Sequence, residues 1–410
     1  MKCSWLWASV VLAVVTAGSA GLGCGADEAT GGTSAGGAAG TGGHGGSGLG
    51  GGGAGGISGG GATAGGSGGS GGTCSSPDGP MVTGVSGTLA DGASITVLGC
   101  GFGEKVQAAP VKFDTFDDGS NGALLRDHDP QWQPYDAVGL TYSNEAPHSG
   151  SLCVGHHNTD GEMFVTNSFT YAPASQEIFV SYWWKVDVNS AVGTIVKMTR
   201  MSSSSAAGGG GVYNGAGATT LGGTYDLASP GAGPYCAFTA NAAGDDETPC
   251  TGSWDTNYLP APPTSTWIKV DFHKKLSTPG SADGAIGLWS PGSFEIDRDD
   301  VMTRGAGASF LMDTVLLGTM DGSDEAHDYY VYLDDVYVDT SQARVEICDS
   351  ANWAARSRCE IQPATAWSTT SATVTLNRGS FSPSDGAYLY VVEPSGRVNA
   401  GGRSVTFGSP

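Results

Sequence analysis

The chain has 410 residues, 69 of them glycine, with 14% charged residues and a formal net charge of −22 from 18 Lys and Arg against 40 Asp and Glu. So few cations exclude a nucleic-acid binder that grips phosphates through a basic surface, and no nucleic-acid partner is expected. A globular protein is about one-quarter charged and about 7% glycine, so a low-complexity portion has to be set aside, leaving about 330 residues for folded domains. Acidic chains of modest charge density suit export, where carboxylates can hold calcium and repulsion limits aggregation.

At the N-terminus Lys2 precedes an apolar stretch from Trp5 to Val15, followed by Ala17-Gly18-Ser19-Ala20. Residues 1–23 read as a signal peptide, too short and wrongly flanked for a spanning helix. Gly21-Leu22-Gly23-Cys24 resembles a bacterial lipobox. That resemblance implies a lipoprotein with acylation of Cys24, although Gly21 replaces the usual bulky residue and leaves ordinary signal peptidase cleavage as the alternative. Each buried acyl CH₂ contributes about 0.8 kcal/mol to anchoring. Gly25 and Ala26 carry no acidic retention signal, so the expected location is the bacterial outer membrane or cell surface, with the membrane met through the lipid anchor only. Residues 24–78 then form a tether. The stretch 25–73 is about half glycine and cannot bury a core. As a flexible coil it has an r.m.s. span of about 40 Å.

From Pro80 the texture changes to short alternating runs between Gly, Asp, Asn and Ser, which predicts an all-β fold. Val82 to Phe102 reads as strand, turn, strand and a glycine turn, Gly99-Cys100-Gly101-Phe102-Gly103. This resembles the opening of an IPT/TIG domain, an immunoglobulin-like sandwich. Residues 343–408 again read as strands, and Tyr388 to Gly396 is similar to the late hairpin and Pro-Ser-Gly turn of that family. Neither piece alone reaches the roughly 100 residues of such a sandwich. The expectation is one smaller Ig-like (TIG-like) domain made of residues 79–110 and 341–410, with a larger domain inserted between them. Two separate fragments packed on the centre are the alternative.

Residues 111–340 hold the longest strand candidates. In Ile178 to Val188 the even positions are apolar or aromatic, and in Trp267 to Lys275 the residues Ile268, Val270 and Phe272 share one face. Those faces are core; the other face mixes Trp with Lys, Asp and His. The stretch resembles the concanavalin A-like lectin/glucanase jelly roll through Phe116-Asp117-Asp118-Gly119, through the Trp267 strand leading to Asp283-Gly284-Ala285-Ile286-Gly287-Leu288-Trp289, and through the closing run Tyr330 to Val338. The implied fold is a jelly-roll sandwich, and a fold alone does not settle function.

The resemblance implies a structural Ca²⁺ where the first and last strands meet, with Asp117, Asp118, Gly119, Asp334 and Asp335 as ligands and Asp114 as a weaker candidate; calcium takes six to eight hard oxygens. Acidic edge residues that only solvate turns are the alternative. The mixed face Trp183, Lys185, Trp267, Lys269, Asp271 and His273 suits a polysaccharide or glycan, because rings stack on pyranose faces while charged groups bond hydroxyls. For catalysis the candidates are His273, Lys269 and Arg200 for a uronate lyase. Glu295 and Asp300 are the candidates for a hydrolase, in a segment similar to the Glu-x-Asp-x-x-Glu strand of laminarinase-like glucanases. Setting aside Cys3 and Cys24, the expected disulfide pairs are Cys236–Cys250, Cys348–Cys359 and Cys74–Cys100, leaving Cys153 free. The expected activity is non-catalytic carbohydrate binding or surface recognition, ahead of a polysaccharide-degrading enzyme (lyase before glycoside hydrolase) and a structural or adhesive protein.

Overall fold

The computed structural model describes residues 79–134, 139–159, 164–191, 195–204, 220–226, 235–239, 265–291, 294–304, 306–307, 309–321 and 327–408. Cys24, Cys74, Cys250 and the glycine-rich tether lie outside the described residues, as do the side chains of Cys236 and Glu295. No helix among the described residues is long and apolar enough to cross a membrane.

The chain opens with β1 (Met81–Ser86) and β2 (Ser94–Cys100). The central part contributes β3 (Lys112–Asp114), β4 (Trp132–Pro134), β5 (Thr141–Ser143), β6 (Cys153–Thr159), β7 (Phe164–Ser175), β8 (Glu177–Ala191), β9 (Ile195–Ser202), β10 (Thr220–Asp226) and β11 (Tyr235–Thr239). It continues with β12 (Ile268–Lys275), β13 (Gly284–Ser290), β14 (Phe294–Val301), β15 (Met312–Asp321) and β16 (His327–Asp339). The C-terminal part adds β17 (Arg344–Cys348), β18 (Cys359–Gln362), β19 (Ala364–Trp367), β20 (Ser371–Thr375), β21 (Gly386–Val392) and β22 (Arg403–Thr406).

The central strands form an all-β sandwich. One sheet has eight strands, in the order β14-β13-β12-β8-β16-β6-β5 with β3 also on β16, and the other has six, β11-β10-β9-β15-β7-β4. Alternation decides which side chains fill the space between them. Ile178, Val180, Tyr182 and Trp184 of β8, Val270 and Phe272 of β12, and Val315 and Leu317 of β15 share one core. Each such fully buried side chain contributes about 1.5–3 kcal/mol.

The two ends of the chain meet in a second sandwich of two four-stranded sheets, β1-β2-β20-β19 and β18-β17-β21-β22. Ile95 stands opposite Val374 and Val97 opposite Ala372, and these side chains pack with Phe102, Val345, Ile347 and Leu389 in a core of their own. Gly103 joins the ends further: at φ +72° it passes so close to Pro394 that a Cβ would lie 2.5 Å from that ring, a position only glycine fills without strain.

The outward face of the eight-stranded sheet packs against β17 and β18 through Phe179, Tyr337 and Ile361, with Phe113 and Trp289 at the margin. β16 changes phase beneath this contact. Leu333 and Val336 both face the core, and the register against β8 jumps between Asp334 and Tyr337. This is a β-bulge, with Asp335 at φ +49°. Bulges re-aim side chains next to functional sites; here two consecutive aspartates are turned toward the second sandwich.

Candidate functional site

The mixed face of β8 and β12 is mostly roofed. Trp183, Lys185, Lys269, Asp271 and His273 are all buried, so they do not form an open glycan groove. Trp183 donates from Nε1 to Glu360 Oε2 of β18 at 3.0 Å, and the His148 ring stacks on it at 3.7 Å. His148 Nε2 in turn lies 3.0 Å from Glu360 Oε1. Lys185 sits over the rings of Tyr332 and Trp267 and pairs with Asp187 at 3.4 Å. Trp267 is half-buried and donates to the carbonyl of Ala146 at 3.0 Å.

Lys269 closes an ion network between the sandwiches. Its ammonium lies 3.2 Å from Glu346 and 3.4 Å from Asp271, and Arg344 pairs with Glu346 and lies 3.9 Å from Asp271. Burial opposes the charged form of Glu346, but Lys269 and then Arg344 outweigh it and hold the carboxyl at about 2. Charge here is used for packing; two buried anions need their cations.

Beyond this roof the same face opens into a cleft of about 600 Å³ between the sandwiches. Asp271 and His273 lie on its floor, Trp289 of β13 lines one side, and Trp353, Arg356 and Arg397 come from the second sandwich. His273 Nε2 is 3.2 Å from Glu177 Oε1. Both tryptophans are half-buried. The Trp289 ring lies along its strand over Gly287, where a Cβ would come within 2.0 Å of it. The Arg356 guanidinium covers the Trp353 ring at 3.5 Å. The loop bearing Trp353 is closed at its base by the Cys348–Cys359 disulfide. Trp289 was visible in the sequence only as a fold marker, and nothing in the sequence pointed to Trp353, because its place opposite Trp289 depends on how two distant segments pack.

The expected calcium ligands divide. Asp334 Oδ2 accepts from the backbone N–H groups of His148 and Ser149, and Asp117 Oδ1 from those of Ser151 and Leu152, so both anchor one loop beside Asp335. Asp118 points elsewhere, toward His128 at 3.3 Å on the surface. Gly119 lies against the Tyr142 ring. Asp114 is occupied by Trp132 Nε1 and the backbone N–H of Phe116.

The catalytic candidates do not converge. Arg200 belongs to β9 in the six-stranded sheet, whereas Lys269 and His273 stand on the eight-stranded one. Asp300 is exposed and bonded to Arg298 at 2.6 Å. Among the described lining residues of the cleft there is no tyrosine to act as an acid. Of the cysteines, Cys348 and Cys359 are bonded to each other, Cys100 is also in a disulfide, and Cys153 is a buried free thiol, pushed up to about 12 by desolvation.

No protein-family model matches the chain, and no curated protein matches its sequence. Among solved structures it is similar to the alginate lyase Aly36B, at 13% identity and a TM-score of 0.42, over 57% of this chain and 98% of that one. An endo-β-1,4-glucuronan lyase from the fungus Trichoderma reesei is similar at 12% identity and a TM-score of 0.38, over 55% and 96%. The alginate lyase vAL-1 from a Chlorella virus is similar at 11% identity and a TM-score of 0.39, over 49% and 88%. These neighbours are polysaccharide lyases; likeness at this level assigns neither activity nor ligand to the chain.

Proposed function

We propose that the protein binds a glycan chain in the cleft between its two sandwiches and does not cleave it. One observation carries this reading: two half-buried tryptophans, Trp289 from one sandwich and Trp353 from the other, line the same charged cleft. Indole rings offer apolar faces to pyranose rings, and the accessible Asp297, Asp299, Arg356 and Arg397 that line the same cleft suit hydroxyl recognition. The roofed part of the face, with Trp183 and Lys269, supports the cleft from beneath without touching ligand. Acyl chains on Cys24 and the glycine-rich tether would hold this head at the cell surface, which mass spectrometry of the mature N-terminus checks.

The test is titration calorimetry of the full chain with oligosaccharides found on a glycan array. Trp289→Ala and Trp353→Ala should each weaken binding about tenfold or more, as loss of a central aromatic anchor does. Unchanged affinity in both variants rejects the cleft. Appearance of unsaturated sugar ends during incubation rejects the non-catalytic part and replaces it with a lyase.

A further inference from the structure

A second crevice, of about 640 Å³, opens at the junction of the two sandwiches. The end of β7 lines it, together with Glu104 and Gln107 from the loop after β2 and Gln131 from the turn before β4. Taken alone, this crevice and the Trp289–Trp353 cleft each have the volume of an ordinary small-molecule site, about 300–1,000 Å³. They are neighbours across a shared ridge. Glu177, at the start of β8, and Pro394, after β21, line both. Glu177 Oε1 lies 3.2 Å from His273 Nε2 on the floor of the cleft and accepts from the backbone N–H of Gln342 at 3.2 Å. The Gln342 amide in turn donates to the carbonyl of Pro394 at 3.5 Å. The ridge is thus one bonded unit, and its two shared residues are half-buried. The Pro394 ring offers an apolar rest between the two hollows, held from beneath by its close contact with Gly103.

The chemistry changes across that ridge. The cleft presents Arg356 and Arg397 beside Asp297 and Asp299. In the second crevice the one cation among the described lining residues is Lys105, whose side chain is 1% exposed and whose ammonium lies 2.6 Å from Asp339. Its exposed groups are Glu104, Gln107, Gln131, Val106 and Pro173. The two amides are already positioned: Lys112 donates to Gln131 Oε1 at 3.2 Å, and Gln107 donates to the carbonyl of Ala109 at 3.1 Å. Pre-positioned amides and a carboxylate bond sugar hydroxyls at a low ordering cost. A carboxylate or sulfate on the sugar would instead meet Glu104 and Glu177 without an accessible cation, and such like-charge contact rejects a partner.

We infer that the two hollows form one groove across the junction, and that its ligand is an extended, neutral polysaccharide. The chain stacks between Trp289 and Trp353, crosses Glu177 and Pro394, and lays its further units along Gln107 and Gln131. This inference rests on the cleft reading above and specifies its ligand: a long chain, uncharged where it leaves the cleft.

The experiment is titration calorimetry of the full chain with tri-, hexa- and decasaccharides of β-1,3-, β-1,4- and α-1,4-glucan, and with oligoglucuronates of the same lengths. The glucan series that binds should gain about tenfold in affinity from trisaccharide to decasaccharide, and the oligoglucuronates should show no such gain. Gln107→Ala combined with Gln131→Ala, both at exposed positions, should melt near wild type and cut the gain to about twofold or less. A trisaccharide that binds as tightly as the decasaccharide overturns the groove and leaves the cleft standing. A full gain in the double variant overturns the path across Gln107 and Gln131. An equal gain for oligoglucuronates overturns the neutral ligand. Binding of no series at any length overturns the cleft and the groove together.

Discussion

One face of the eight-stranded sheet has two fates along its length. Around Trp183 and Lys269 it is sealed under β17, β18 and the loop of His148, whereas at His273 and Trp289 it forms the floor and wall of a cleft. The residue types are alike in both places, and so is the alternation that put them outward. The roof makes the difference. Lys269 answers Glu346 and Trp183 answers Glu360, partners distant in sequence that belong to another sandwich. A Trp- and charge-bearing sheet face therefore does not announce a ligand; the side chains that come down on it decide whether its rings are sealed in, as Trp183 is, or reach a cleft, as Trp289 does.

The largest effects should fall on the sealed half. Trp183→Ala removes a buried ring and leaves Glu360 Oε2 without its donor, at a cost of about 3–5 kcal/mol. Lys269→Met leaves Arg344 as the one remaining direct ion-pair partner of Asp271 and Glu346 among the described residues, at a similar cost of about 3–5 kcal/mol. Denaturant unfolding should show both losses. Glycan affinity of the fraction that remains folded should stay near wild type, since neither side chain lines the cleft. A tenfold loss of affinity from either variant with little loss of stability would erase the distinction between the two halves.

Acid should expose the same contrast more gently. The carboxyl of Glu346 is held at about 2 in the folded protein, where Lys269, Arg344 and Arg356 face it, against 4.5 ordinarily. A depressed carboxyl stabilises the fold above its unfolded value, and that stability drains away as the pH falls through the folded one. Wild type should therefore lose stability between pH 4.5 and about 2, and Glu346→Gln, already less stable at neutral pH, should lose less over that window. Equal slopes for the two proteins would mean that the network does not hold Glu346 ionised.

The fold class was legible because strands write alternation into the chain: Ile178, Val180 and Tyr182 on one side of β8, Phe179, Ser181 and Trp183 on the other. The outward set was legible for the same reason. Its burial was not, because period-2 patterning carries no information about which segment packs above a face. Trp353 escaped notice since it sits in a single 3₁₀ turn, Trp353–Ala355, too short to write a period into the sequence, and Glu360 since a lone acid on a four-residue edge strand resembles a solvated turn. The phase change in β16 was concealed as well. Leu333-Asp334-Asp335-Val336 places two aspartates where strict alternation allows one, which is the signature of a bulge, and it distinguishes Asp335 from the exposed Asp118 in the other Asp-Asp pair.

The smallest effect on stability should come from Gly287→Ala, and it probes the open half most finely. A methyl group there would meet the far edge of the Trp289 ring at 2.0 Å. That edge is the end of a side chain able to rotate away, and Trp289 is only half-buried, so the fold should lose no more than about 1 kcal/mol. The ring, however, can no longer lie along the strand, and its stacking surface in the cleft turns with it. Glycan affinity should fall about tenfold, nearly as far as in Trp289→Ala. If Gly287→Ala binds as wild type does while Trp289→Ala does not, bulk at position 289 is sufficient and ring orientation is not what the cleft selects. If both bind as wild type does, the open end of the face is as silent toward glycans as the sealed one.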